Sequence, residues 1–132
     1  MSAIERGAHA GPVPDAAWKA DQRARTQKQR VEIFNATRPG GLDGWTMDLA
    51  QYEAMRALIL DTIDDDADAA GTVLLKHVVE IAQARYGDHE LFPNGRLTNY
   101  VRYTKVDLEA RCEIERVTGS SPQRIMRWRV EP

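Results

Sequence analysis

The chain has 132 residues, of which 42% are apolar and 29% charged, with a formal net charge of −2 and one cysteine. That length suits one domain with an appended arm and not two independent cores. Cys112 alone excludes a disulfide framework and a cysteine zinc site, no run reaches the roughly 18 apolar residues of a membrane span, and the first 14 residues lack the apolar core of a signal peptide, so a reducing cytoplasm is the expected setting.

Residues 1–14 hold Gly7, Gly11, Pro12 and Pro14 among small residues with nothing to bury, and read as a flexible arm. Ala16–Arg30 is rich in Ala, Arg, Lys and Gln, with Asp15 as its N-cap and Trp18 as its one large anchor. This composition predicts a polar helix that docks loosely or orders on a partner. Residues 1–30 are therefore assigned to a partly helical arm, with Trp18 as its candidate protein-interaction residue, and residues 31–132 to the domain. Val31, Ile33 and Phe34 form a short apolar patch, and Arg38-Pro39-Gly40-Gly41 with Gly44 predicts a loop.

The compact part gathers from Trp45. Asp48 is an N-cap, and Leu49, Tyr52, Met55, Ala57, Leu58 or Ile59, and Ile63 recur at helical spacing. The helix is expected to stop near Ile63, because Asp64, Asp65, Asp66 and Asp68 oppose the negative end of its dipole. Gly71-Thr72 restarts the chain, and Val73–Ala82 reads as a brief extended entry followed by a buried helix ending at Tyr86, with Gly87 as its C′ residue. Asp88–Gly95 is a connector whose Leu91-Phe92 pair plugs the core.

The third helix of the domain runs from about Arg96 to Arg111. Leu97, Tyr100, Val101, Thr104 and Leu108 occupy one face, and Arg96, Asn99, Arg102, Tyr103 and Lys105 the opposite one. The period then changes from 3.6 to 2: Cys112–Val117 and Gln123–Val130 alternate about the turn Thr118–Pro122. Ile125 points inward, Arg127 and Arg129 share a strand face, and Trp128 between them points to the core. Helix, short strand, helix, helix, hairpin is the order of a winged helix-turn-helix, so the expected class is mainly α with a small C-terminal β-hairpin, α+β.

Charge is unevenly spread. Residues 1–47 carry seven Lys/Arg against five Asp/Glu, residues 48–70 one against seven, and residues 94–132 eight against five. A total near zero thus conceals two basic ends and an acidic middle. A recognition helix needs donors that reach phosphates and base edges, which Arg96, Asn99, Arg102, Tyr103 and Lys105 supply. The hairpin adds Arg116, Arg124, Arg127 and Arg129 as candidate phosphate contacts, with Glu113 and Glu115 as partial neutralisers across the strands.

Other signals lead to no chemistry. Asp64, Asp66 and Asp68 have the spacing that opens a calcium loop, but Ala69 stands where the glycine belongs and Leu75 where the bidentate glutamate belongs, which leaves a solvated acidic loop. His9, His77 and His89 share no ligand spacing, with His77 a boundary residue, and Cys112 is expected to be buried as a small apolar group. No nucleophile elbow or phosphate loop is present, so no enzymatic activity, metal or cofactor is expected.

Arg38-Pro39-Gly40, Asp48-Leu49-Ala50-Gln51-Tyr52-Glu53-Ala54-Met55-Arg56, Leu91-Phe92-Pro93, Val106-Asp107-Leu108-Glu109-Ala110 and the closing Arg127-Trp128 together resemble a family of small bacterial proteins of unknown function. The resemblance runs from about Val31 onward and implies a helical domain with a small hairpin, similar to winged helices. It brings no activity or site, and makes the first 30 residues an addition. The expected function is non-enzymatic binding of double-stranded DNA by a regulatory homodimer; the alternative is a protein-assembly module using the Trp18 arm.

Overall fold

The computed structural model describes residues 13–129, so the expectations for residues 1–12 and Val130 lie outside the described residues. Helix α1 (Asp15–Lys28) begins one residue earlier than its composition implied, with Pro14 at the N-cap and Asp15 in the first turn. Gln29 ends it in the left-handed region, φ 54°, and the chain passes directly into strand β1 (Arg30–Phe34). Ala17, Asp21 and Ala24 are buried.

The apolar patch of Val31, Ile33 and Phe34 is this strand, and the loop expected after it is shorter than predicted. A single 3₁₀ turn at Pro39–Gly41 returns the chain into β2 (Leu42–Asp48), which pairs antiparallel with β1 from Arg30 opposite Asp48 to Phe34 opposite Leu42. Gly41 is buried at φ +78°, and a Cβ there would lie 2.9 Å from Val13 Cγ1, so glycine serves both the turn and the close approach of the chain before α1. Of the seven β2 residues only Met47 is buried, and so the segment carries no apolar alternation to announce a strand.

Asp48 caps α2 (Leu49–Asp66) as expected, its carboxylate accepting from the Ala50 and Gln51 N–H groups. The helix continues one turn past Ile63. The acidic residues there are held by partners instead of terminating it: Asp64 by Arg127, and Asp66 by His77 at 2.8 Å. Strand β3 (Thr72–Leu74) leads into α3 (Leu75–Tyr86), and Gly87 caps it in the right-handed region, φ −56°. Glycine is required there for a different reason from a left-handed turn, since a Cβ would stand 2.5 Å from the Gln83 carbonyl oxygen. Phe92 is buried in the core from the connector, edge-on to Tyr86 and Tyr100.

Helix α4 (Thr98–Ala110) buries Val101, Thr104 and Leu108 against α2, with Leu97 just before it. Strands β4 (Ile114–Arg116) and β5 (Arg124–Arg127) form the expected hairpin, and β3 joins it to make a three-stranded antiparallel sheet in the order β3-β5-β4. The middle strand β5 is paired on both edges, and its adjacent residues Ile125 and Met126, which point to opposite faces, are both buried, so strict alternation fails. Trp128, beyond the strand, is half-buried. Among the described residues the architecture is α+β, four α-helices with two small sheets, richer in strand than one hairpin. One main core joins β1, α2, α3, α4 and the three-stranded sheet; a second, around Val13, Ala17, Phe34 and Ala110, seats α1.

Candidate nucleic-acid interface

The start of α4 is fixed by α3. The Gln83 side chain donates to the Gly95 carbonyl (2.5 Å) and accepts from the Leu97 N–H (3.1 Å), tying the connector to the helix before it. Leu97 and Val101 are fully buried beneath, which turns Asn99, Arg102 and Tyr103 outward, with Arg96 beside them before the helix. Trp45 of β2 packs edge-on against Tyr103, ring centroids 4.4 Å apart, and these two rings with Arg96, Asn99, Tyr100 and Asn94 line a recess of about 310 Å³. Among the described residues neither Arg96 nor Arg102 is in an ion pair. Nothing in the local sequence places Trp45 on this face; it comes there on β2, which is held by its pairing with β1.

Lys105 does not belong to this face. It is 3% exposed and lies 3.2 Å from Glu109, and burial, against the attraction of Glu109, pulls its pKa below the usual lysine range. Helical geometry explains the correction: 101, 104, 105 and 108 follow the i, i+3, i+4, i+7 pattern of one buried stripe, so the spacing that assigns Leu108 to the core assigns Lys105 with it.

Three of the hairpin arginines, Arg116, Arg124 and Arg127, pair with carboxylates other than the expected Glu113 and Glu115, and Glu113 adds a Coulombic attraction on Arg127. Arg127 shares a strand face with Ile125 and reaches the end of α2, where Nε and Nη2 donate to the two Asp64 oxygens at 2.9 and 3.0 Å. Arg124, on the other face, lies 3.4 Å from Asp68 and 3.3 Å from the Thr72 hydroxyl, and Arg116 lies 3.6 Å from Glu109. The hydrogen bond from Arg127 holds the Asp64 carboxyl below its ordinary range, and bonds from Thr72 do the same for Asp68. Glu113 instead pairs with Arg56, and buried Glu115 accepts from the Arg129 N–H at 2.7 Å. Arg129 is exposed. Within the acidic block at 64–68, Asp64 and Asp68 thus serve as counter-charges to hairpin arginines, while all four aspartates remain exposed to solvent as expected.

A second polar assembly has no local signal in the sequence. Asp107 is fully buried in α4 and accepts from the Phe34 N–H (2.8 Å), the Tyr52 hydroxyl (2.5 Å) and Arg111 Nε (2.8 Å). Arg111 also donates to Asp21 (3.1 Å) and to the Glu32 carbonyl (3.1 Å), and Asp21 accepts from the Glu32 N–H (2.9 Å) and Arg25 (2.9 Å). Burial raises the Asp107 carboxyl, and Arg111 pulls it down; burial and Asp107 together hold the Tyr52 phenol protonated, above the usual tyrosine range. Trp18 sits edge-on to Phe34 at 4.8 Å with the Arg111 guanidinium 5.2 Å from its ring, and remains 43% exposed. α1 is therefore bound through a buried polar network, which helix composition could not disclose.

Cys112 is exposed, not buried: it follows α4 at φ +63°, and this left-handed turn directs it outward. No group of three or more His, Cys, Asp or Glu among the described residues is placed to hold a metal, and no described helix is long and apolar enough to cross a membrane.

These features define an α+β domain that presents an exposed basic and aromatic helix face and carries a buried Asp–Arg–Tyr network. The chain belongs to DUF6958, a family of unknown function, whose model matches residues 30–125, from the first residue of β1 into β5. No curated protein and no solved structure matches it.

Proposed function

We propose that this chain is a winged helix-turn-helix module that binds double-stranded DNA, with the N-terminal half of α4 in the major groove. The observation that carries the reading is the exposed set Asn99, Arg102 and Tyr103 on one face of that half with exposed Arg96 just before it, the two arginines in no ion pair among the described residues. The order α2-β3-α3-α4-β4-β5 with sheet order β3-β5-β4 supports the winged-helix assignment. Recognition helices contact base edges through their N-terminal residues, and Arg and Asn pair bidentately with guanine and adenine. A non-enzymatic regulatory homodimer in a cytoplasmic setting completes the proposal.

Fluorescence anisotropy with mixed-sequence duplex DNA at two salt concentrations tests it. Affinity should fall steeply with salt, and Arg96→Ala and Arg102→Ala should each reduce the slope of log K against log salt by about one. Absence of binding by the wild type at low salt refutes it. The engagement of Arg116, Arg124 and Arg127 by the chain's own carboxylates favours a second reading, a protein-assembly module using exposed Trp18. Loss of an oligomer in Trp18→Ala by light scattering, with no DNA affinity in either protein, would establish that reading.

A further inference from the structure

The cleft between α1 and α2 lies apart from the proposed DNA face, and its chemistry is independent of that reading. Its volume is about 730 Å³, within the range of small-molecule sites. Trp18 and Arg25 come from α1, Glu53 and Arg56 from α2, and Tyr52 and Arg111 lie at the buried end. Cations and carboxylates are balanced in number there, but they are not equally available to a ligand. Both Asp21 oxygens already accept, from Arg25, Arg111 and the Glu32 N–H, and Glu113 is engaged by Arg56. Among the described residues Arg25, in contrast, spends only Nε on Asp21 and keeps both terminal amino groups, while Arg56 spends Nε and Nη2 and keeps Nη1. Apart from Glu53 on the exposed rim, the charged side chains of the cleft that leave a whole polar atom without a partner among the described residues are Arg25 and Arg56, beside a half-open indole, and the neutral Gln22 and Thr26 also line it.

We propose that this cleft binds a small carboxylic acid with a planar apolar body. The terminal N–H groups of Arg25 and Arg56 take the carboxylate, and the body lies against Trp18. A guanidinium fork matches a carboxylate in two parallel hydrogen bonds. Arg25 supplies the fork and Arg56 its Nη1, and both guanidiniums are already oriented, Arg25 by Asp21 and by its position 5.4 Å from the Tyr52 ring centroid, Arg56 by Glu113, so little side-chain freedom is lost on binding.

The test is calorimetric titration of the full chain with benzoate, phenylpyruvate and indole-3-acetate, each against its primary amide. At least one acid should bind, with its amide weaker by roughly tenfold or more, the loss expected when a charge-assisted pair becomes neutral. Arg25→Gln and Arg56→Gln should each remove that preference. Arg25→Gln should fold, because Asp21 retains Arg111 and the Glu32 N–H. Amide shift mapping on the labelled wild type gives a readout free of mutation: changes at residues 18–26 and 52–57 support the site. Shifts centred on Arg96 and Trp45, equal affinity for acid and amide, or no binding of any acid at about 10 mM, far above a specific ligand's working range, overturn it.

Discussion

Replacing Arg111 by Met removes one side chain and strands three partners. Among the described residues Asp107, fully buried, loses its only hydrogen-bonded cation, Asp21 loses one of two, and the Glu32 carbonyl loses its Arg111 donor. Breaking a buried ion pair from one side costs about 3–5 kcal/mol, and the bonds Asp107 keeps from Tyr52 and Phe34 place this case near the lower end. Against a total stability of about 5–15 kcal/mol, a loss of about 3 is large. Urea titration followed by circular dichroism should show a lower midpoint at unchanged slope. The deficit should also depend on pH in a defined direction. Burial already raises the Asp107 carboxyl and Arg111 lowers it, so the variant's carboxyl rises further above its unfolded value. A raised folded carboxyl favours the fold below the unfolded pKa and loses that advantage as pH rises through the folded one. The gap between wild type and Arg111→Met should therefore widen over the window above the wild-type folded value of Asp107, which burial already holds above the ordinary carboxyl range. A deficit below about 1 kcal/mol at neutral pH, or one constant across that window, would refute the reasoning.

Tyr52→Phe removes one charge-assisted bond to Asp107 and should cost about 1.5–3 kcal/mol in the same urea assay. Lys105→Met should leave stability unchanged or raise it by about 1 kcal/mol at neutral pH, because the ammonium is buried at a desolvation cost that Glu109 only partly offsets. Its lowered pKa makes the wild type gain stability as pH climbs from the folded value towards the ordinary lysine value, and the variant should lack that rise. Lys105→Met should also leave DNA affinity unchanged, in contrast to Arg102→Ala. The double variant Asp64→Asn, Asp68→Asn breaks two exposed pairs, so its thermal midpoint should move little, while unmasking Arg127 and Arg124 should steepen the salt dependence of DNA binding by up to about two. Gly87→Ala drives a Cβ into the Gln83 carbonyl and should cost about 1–3 kcal/mol in thermal melts.

What could be read from the sequence depended on how far apart the determinants lie. Asp48 acts on the two residues that follow it, and the α2 and α4 core stripes obey a period of 3.6, so the cap, the helices and the C-terminal hairpin were visible locally. The β1–β2 hairpin was not, because β2 packs only Met47 deeply and holds Gly44, so propensity argued for a loop. Lys105 was legible in principle: a basic stripe drawn at intervals of three drifts around the helix and reaches the buried side within three steps. Long-range pairing was out of reach. Asp21 meets Arg111 across 90 positions and Arg127 meets Asp64 across 63, and neither partner's identity marks the other. The charge profile correctly located an acidic block and a basic hairpin, but only the β3-β5-β4 register shows that they face one another.

The left-handed residue that closes α1 also governs how the molecule opens. The Gln29 carbonyl accepts the N–H of Leu49, the first residue of α2, so the end of one helix caps the start of another. Together with the Asp21–Arg111 bridge, this means α1 cannot unwind by itself without exposing an amide at α2 and a charge at the end of α4. Its amide protons should accordingly exchange with solvent in a concerted event shared with the first turn of α2, at a free energy approaching that of global unfolding. In kinetic terms, what the sequence presents as a detachable leader is a latch on the first half of the chain.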